Sequence, residues 1–186
     1  MIIVIPDDYQ DLVHTLRCFA RLRGHQVVRY REPARDEDQL VASLQDADAI
    51  VLIRERTRIT RDIIERLPRL RLVSLVGRSS RAIDIQACTE RGIPVATGTQ
   101  ASPIAPAELT WALILANRRH IADEAQRMKD GQWPRTLSHR LRGGTLGIFG
   151  LGMTGSLVAE AAKGFGMRVL AFGRDETARR ARALGY

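Results

Sequence analysis

Cysteine is scarce in this chain of 186 residues: only Cys18 and Cys88 occur, and no CxxC pair or Cys/His cluster has metal-ligand spacing. That leaves no sequence signal for a zinc site or a dithiol redox centre, and both cysteines, set within predicted helices, read as reduced core residues. Aromatic residues make up 5% of the chain, and the arginines are scattered rather than gathered into a stripe with interleaved aromatics. The formal charge of +8 therefore reads as solvated surface and not as a nucleic-acid face, although it suits anionic ligands. No run approaches the roughly 18 apolar residues that span a bilayer. Met1–Pro6 lacks the basic start and apolar core of a signal peptide, so the expectation is a cytoplasmic protein with no membrane partner. There is no internal repeat and no low-complexity segment.

What is present is the mixture of a soluble globular protein, 45% hydrophobic and 27% charged. Over the first hundred residues a short apolar run, a longer amphipathic stretch and a turn signal alternate, which is the rhythm of βαβ units. Strands are predicted at Ile2–Ile5, Gln26–Tyr30, Ala49–Ile53, Leu70–Val76 and Pro94–Ala96. The intervening helices are predicted from Asp7-Asp8 through Leu12, Val13, Leu16 and Phe19 to a stop at Gly24, around Leu40, Val41 and Leu44, around Ile63, Ile64 and Leu67 before Pro68, and over Ile83–Glu90 before Gly92. Strands this continuously apolar imply a parallel sheet covered on both faces. A turn-rich stretch from Thr97 then leads to a predicted long apolar helix of about Pro106 to Asp130, with Pro106 and Glu108 suited to its start. Gly131-Gln132-Trp133-Pro134 and the basic stretch from Arg135 to Arg142 form a polar connector.

A second sheet is predicted to begin at Thr145, and it carries the motif with chemical content, Gly150-Leu151-Gly152-Met153-Thr154-Gly155. A GxGxxG pattern alone is weak, but here Thr145–Phe149 reads as a strand entering it, and Leu157, Val158, Ala161 and Ala162 give the following segment an apolar helical face. Gly150 permits a tight turn, Gly152 lets backbone amides approach a pyrophosphate, and Gly155 lets the helix lie close to the strand. The unpaired amides at a helix start, Met153 and Thr154 among them, bind an anion without needing a lysine. The next strand, Arg168–Phe172, exits at Gly173-Arg174, where an acidic residue would favour NAD by accepting from the ribose hydroxyls. A glycine followed by arginine leans toward NADP, with Asp175 close enough to keep NAD open.

Four segments, in order, resemble the D-isomer-specific 2-hydroxyacid dehydrogenases: Ile53-Arg-Glu-Arg-Thr57, Val76-Gly-Arg-Ser-Ser-Arg-Ala-Ile-Asp84, Ala107-Glu-Leu-Thr-Trp-Ala-Leu113, and Thr145 through Gly155 with Gly164-Phe-Gly-Met-Arg-Val169. The resemblance implies a flavodoxin-like substrate domain over 1–100, an interdomain helix and connector over 101–142, and the first part of a Rossmann domain over 143–186. It implies hydride transfer between NAD(P) and a small anionic 2-hydroxy or 2-keto acid, and the apolar faces that the Ala/Leu-rich helix and the two Rossmann strands would leave uncovered predict a homo-oligomer such as a dimer or a partner that covers them. Carried over by position, it places the substrate carboxylate against loop amides at Gly77, Arg78 and Ser79, with Arg54 facing the same site. The chain departs from the family pattern at Arg78 and Ser79, where an apolar residue and a glycine are usual, and at Met153 and Thr154.

The stretch from Thr145 to Tyr186 has room for two strands and about one and a half helices, whereas a mononucleotide-binding half needs three strands. The expectation is a chain that stops inside the Rossmann domain. The family's catalytic histidine, carboxylate and arginine would then lie beyond it, and none of His14, His25, His120 and His139 matches the catalytic position. No catalytic or metal-ligating residue is assigned. The resemblance leaves a second class open, a non-catalytic, corepressor-like interaction protein on the same fold.

Overall fold

Five strands pair in parallel in the first half of the computed structural model, in the order β2-β1-β3-β4-β5. They are β1 (Ile2–Ile5), β2 (Gln26–Arg29), β3 (Ala49–Ile53), β4 (Leu72–Val76) and β5 (Val95–Thr97). The structure describes residues 1–78, 81–98 and 102–186, so Ser79 lies outside the described residues. The register runs Ile3 beside Val27 and Ala49, Ile50 beside Val73, and Val73 beside Val95. It is fixed by burial on both faces: Val4, Ile50, Leu52, Val73 and Leu75 are inside on one face and Ile3, Ile5 and Ala49 on the other, and a slip would move each to the wrong neighbour. Full burial of one such side chain contributes about 1.5–3 kcal/mol.

Helices α1 (Glu37–Leu44), α2 (Arg61–Glu65) and α3 (Ile85–Glu90) complete this layer. Each begins at a side-chain cap: the Asp36 carboxylate accepts from the Gln39 amide, the Thr60 hydroxyl from Ile63, and the Asp84 carboxylate from Ala87. They bury Val41 and Leu44, Ile63 and Ile64, and Ala87 and Cys88 against the sheet.

The helix predicted from Asp7 to Gly24 does not form. Two short 3₁₀ helices, Val13–Thr15 and Arg17–Leu22, stand there, and neither buries a residue. Asp11 takes a left-handed φ of 53°, which stops helix propagation, and Asp7 and Asp8 are 0% and 2% exposed instead of capping a surface helix. The Asp8 carboxylate accepts from the Leu12 amide at 2.9 Å and the Val13 amide at 3.3 Å and pairs with Arg29 at 2.7 Å. Arg29 also bridges to Asp11, which holds Arg31 at 2.7 Å. The apolar periodicity was genuine as a pattern, but Leu12 and Leu16 remain exposed, and so does Cys18, contrary to a core role; Cys88 is buried as expected.

Burial pushes the Asp8 carboxyl up, but the Arg29 guanidinium and the two amides outweigh it and leave it below its usual range; Arg29 also holds Asp11 low. A carboxyl lowered in the folded state contributes stability above its unfolded value of about 3.9 and loses it as the pH falls through the folded value. Thermal melts between pH 5 and pH 2 should therefore show stability falling with acid. Asp8→Asn should flatten that slope; an unchanged slope would contradict this role.

The chain divides into two compact units, Met1–Ala101 and Ser102–Tyr186. In the second, β6 (Thr145–Phe149) and β7 (Arg168–Phe172) pair in parallel, with α6 (Met153–Gly164) between them in sequence and α7 (Asp175–Ala183) following. The predicted long helix is two, α4 (Ile104–Arg118) and α5 (Ile121–Lys129). His120 breaks them with a φ of 52°, a left-handed turn that no glycine or proline announces in the sequence. Because α4 starts at Ile104, Glu108 sits beyond its first turn, which contains no acid. Ala107 and Trp111 of α4 pack with Ile148, Val158, Ala159, Ala162 and Val169 into this unit's core. The Trp111 ring lies 4.6 Å from that of Phe165.

Candidate active site

In the second unit β6 delivers the chain into the glycine turn, and each glycine answers a local demand. Gly150 has φ of 92°, a region that costs other residues of order 1–3 kcal/mol, and its amide donates to the Phe172 carbonyl at 2.8 Å, tying the turn to the end of β7. Gly152 is the N-cap of α6, and a Cβ built there meets nothing within 4 Å, so the space before it is open. At Gly155 a Cβ would overlap the Gly150 carbonyl oxygen and stand 3.4 Å from the Ile148 Cγ2, so the helix reaches its place against the strand only because this residue has no side chain.

The amides of Met153, Thr154 and Gly155 find no acceptor among the described residues, and no side chain caps the helix. The first amide used within this start is that of Ser156, which donates to Gly152 at 2.9 Å. Three unpaired N–H groups at the positive end of a twelve-residue helix, beside an open glycine, fit the pyrophosphate of a dinucleotide. A cleft of about 660 Å³ lies here, lined by Gly150, Gly152, Met153 and Thr154 together with Thr110 and Ile114 of α4. Below the turn, Arg180 Nη1 donates to the Leu151 carbonyl at 2.9 Å and fixes the loop from behind.

At the exit of β7, Gly173 and Arg174 are exposed, and Arg174 is the N-cap residue of α7. A Cβ at position 173 would lie 2.8 Å from the Thr177 Cβ, so an acidic side chain cannot be added there without displacing Thr177. Arg174 has no ion pair among the described residues, while Asp175 and Glu176 occupy the first turn of α7.

In the first unit, Arg54 and Gly77 follow β3 and β4 and come together at the carboxyl end of the sheet. The Arg54 amide donates to the Val76 carbonyl at 3.0 Å, and a Cβ at Gly77 would stand 4.0 Å from the Arg54 Cα. Both backbones have a positive φ, 63° at Arg54 and 152° at Gly77. For arginine that is an uncommon state, of the kind surrounding structure must enforce. Arg78 follows as an exposed residue.

The enforcing residue is Asp7, which the sequence reading placed at a helix start. Its carboxylate, wholly buried, accepts from the Thr57 hydroxyl and from the Ile53 amide at 3.3 Å, and its carbonyl accepts from Arg56 Nη1 at 2.9 Å. Arg56 in turn lies 5.0 Å from the centre of the Tyr9 ring. The loop carrying Arg54 is thus bolted to the end of β1. The only sequence signal was a pair of acids directly after a buried strand, which reads equally well as a cap.

The histidines take other places. His14 Nδ1 lies 3.5 Å from the Asp11 carboxylate, and the His139 amide donates to the Arg118 carbonyl near the α4 to α5 break, 6.4 Å between the rings of His120 and His139. No cluster of three or more metal-ligating side chains exists among the described residues. Among the described residues no helix is long and apolar enough to cross a membrane.

A parallel sheet of this strand order followed by a strand, glycine turn and helix defines an α/β protein with a flavodoxin-like unit and a Rossmann-type unit. The chain belongs to the D-isomer specific 2-hydroxyacid dehydrogenase family, a group of oxidoreductases: the sequence model of that family's catalytic domain matches residues 3–182. It is 38% identical over 138 residues to a D-3-phosphoglycerate dehydrogenase of Methanocaldococcus jannaschii, covering 73% of this chain and 26% of that protein. It is 36% identical over 139 residues to a hydroxypyruvate reductase of Thermotoga maritima, covering 74% of this chain and 45% of the relative. Among solved structures, a phosphoglycerate oxidoreductase from Vibrio cholerae o395 superposes with a TM-score of 0.93 at 40% identity, over 100% of this chain and 59% of that one. The chain thus spans between about a quarter and three fifths of the proteins it matches.

Proposed function

We propose that this chain carries the cofactor-pyrophosphate turn and the substrate-carboxylate loop of an NAD(P)-dependent dehydrogenase acting on D-2-hydroxy acids and their 2-keto partners. The observation that carries the reading is the unpaired amide set at Met153, Thr154 and Gly155 behind an open Gly152. These groups, with Gly150, hold the pyrophosphate, and Gly173 and Arg174 meet the adenosine ribose. An arginine at that exit, with no acid admitted at 173, favours the 2′-phosphate of NADP. The nicotinamide, when bound, supplies the hydride. The chain's own part on the substrate side is to hold its carboxylate: the backbone of Gly77 and Arg78 offers amides, the resemblance adds Ser79 outside the described residues, and Arg54 adds a positive charge nearby.

Proton transfer to or from the substrate hydroxyl needs a positioned acid or base, and none of the four histidines stands at the glycine turn or the Arg54 loop. Nicotinamide absorbance followed with glyoxylate, hydroxypyruvate or phosphohydroxypyruvate should therefore show no turnover by these 186 residues alone. Robust oxidation would overturn the assignment of roles. Exposed aromatic surface at the ends of the second sheet, Phe149 at 86% and Phe172 at 68%, supports self-association of the chain.

A further inference from the structure

A second cavity, about 690 Å³ in volume, opens in the first unit at the carboxyl ends of β2, β1 and β3. Neither Arg54 nor Gly77 lines it. With strand order β2-β1-β3-β4 it lies where the connections leaving β1 and β3 run to opposite sides, the position at which open α/β sheets form a ligand crevice. Its volume is that of an ordinary small-molecule site.

The walls differ in charge. The loop after β3 supplies Arg56 and Arg58, the segment between β2 and α1 supplies Glu32 and Asp36, and α1 opens with Glu37. No ion pair within 4.0 Å joins the two sets among the described residues; Glu37 pairs instead with Arg66 at 3.9 Å and the Asp36 carboxylate caps α1, which leaves Glu32 as the free acid facing the arginines. Arg56 is held by the Asp7 carbonyl and the Tyr9 ring and has no carboxylate partner. Arg58 and Glu32 have no ion pair at all, whereas Arg29 and Arg31, which also line the cavity, are satisfied by Asp8 and Asp11. Between the walls the lining includes the apolar Pro6, Leu40 and Ile63 with Tyr9 and Tyr30.

A simple anion would be drawn to the two arginines and repelled by the unpaired Glu32 carboxylate, and a simple cation would meet the reverse. A molecule bearing both charges on an apolar body answers both walls. We propose that this cavity binds a small zwitterion of the α-amino acid class with a hydrophobic side chain, and that its occupancy is felt by the Arg54 loop through Arg56 and Thr57. The proposal does not depend on the dehydrogenase reading.

The test is a two-dimensional ¹H–¹⁵N NMR titration of the folded chain with L-phenylalanine, and with its two halves 3-phenylpropionate and phenethylamine. Saturable shifts confined to residues 30–40 and 56–63 are expected with L-phenylalanine, each half-probe binding at least about tenfold more weakly because one wall is left unanswered. Arg58→Ala and Glu32→Gln, both at exposed positions where folding is little affected, should each weaken L-phenylalanine by about five- to tenfold. No shifts at tens of millimolar would overturn the proposal. So would 3-phenylpropionate binding as tightly as L-phenylalanine, which would make the cavity an anion site only.

Discussion

Gly155→Ala should eliminate saturable binding of NADH and NADPH and lower the stability of the second unit by about 3 kcal/mol, the upper part of the overpacking range. The added methyl would overlap the Gly150 carbonyl oxygen and press on the Ile148 side chain, and neither is the movable end of a flexible chain. Relief must come from α6 sliding away from β6, which carries the Met153 and Thr154 amides off their aim and loosens Val158 and Ala159 from the core. Chemical denaturation followed by tryptophan fluorescence reads the stability, because Trp111 sits in that core. Gly152→Ala makes the informative contrast: nothing stands within 4 Å of its Cβ, so it should fold normally and still lose binding, the methyl filling the space the phosphates need. Equal stability losses in the two variants would show that the turn is held otherwise.

Asp7→Ala is expected to cost about 3–4 kcal/mol, since it strands the Thr57 hydroxyl and the Ile53 amide away from water, each at about 1–3 kcal/mol. The same change frees the Arg54–Arg58 loop from the end of β1. Amide hydrogen exchange should then rise at residues 53–58 by more than at the β4 core, where Val73 and Leu75 are untouched. Asp7→Asn keeps an acceptor oxygen and should lie between. A loss spread evenly over the first unit would mean that Asp7 holds the whole sheet and not the loop.

The parallel strands and the glycine turn were legible because their signals are local. A buried parallel strand must be apolar throughout, as Ile2–Ile5 and Ala49–Ile53 are, and a strand, GxGxxG and helix in succession leave few alternatives. The misread segments depend on tertiary contacts. Leu12, Val13, Leu16 and Phe19 have helical spacing, yet Asp8 is drawn inward by Arg29, more than twenty residues away, and the backbone turns left-handed at Asp11. The break at His120 carries no glycine or proline. Asp7 illustrates the same limit at the site: its partners Ile53 and Thr57 are distant in sequence, so its part in shaping the Arg54 loop emerges only in three dimensions. The absence of an acid at the β7 exit could be read directly, but the reason an acid does not fit, the Thr177 side chain, could not.

Titration of the folded chain with NADH and with NADPH, followed by nicotinamide fluorescence, addresses the pyrophosphate turn itself. Saturable binding of both is expected, tighter for NADPH and lost in Gly152→Ala. A flat response to millimolar concentrations of either nucleotide, from protein shown by its melt to be folded, would contradict the assignment.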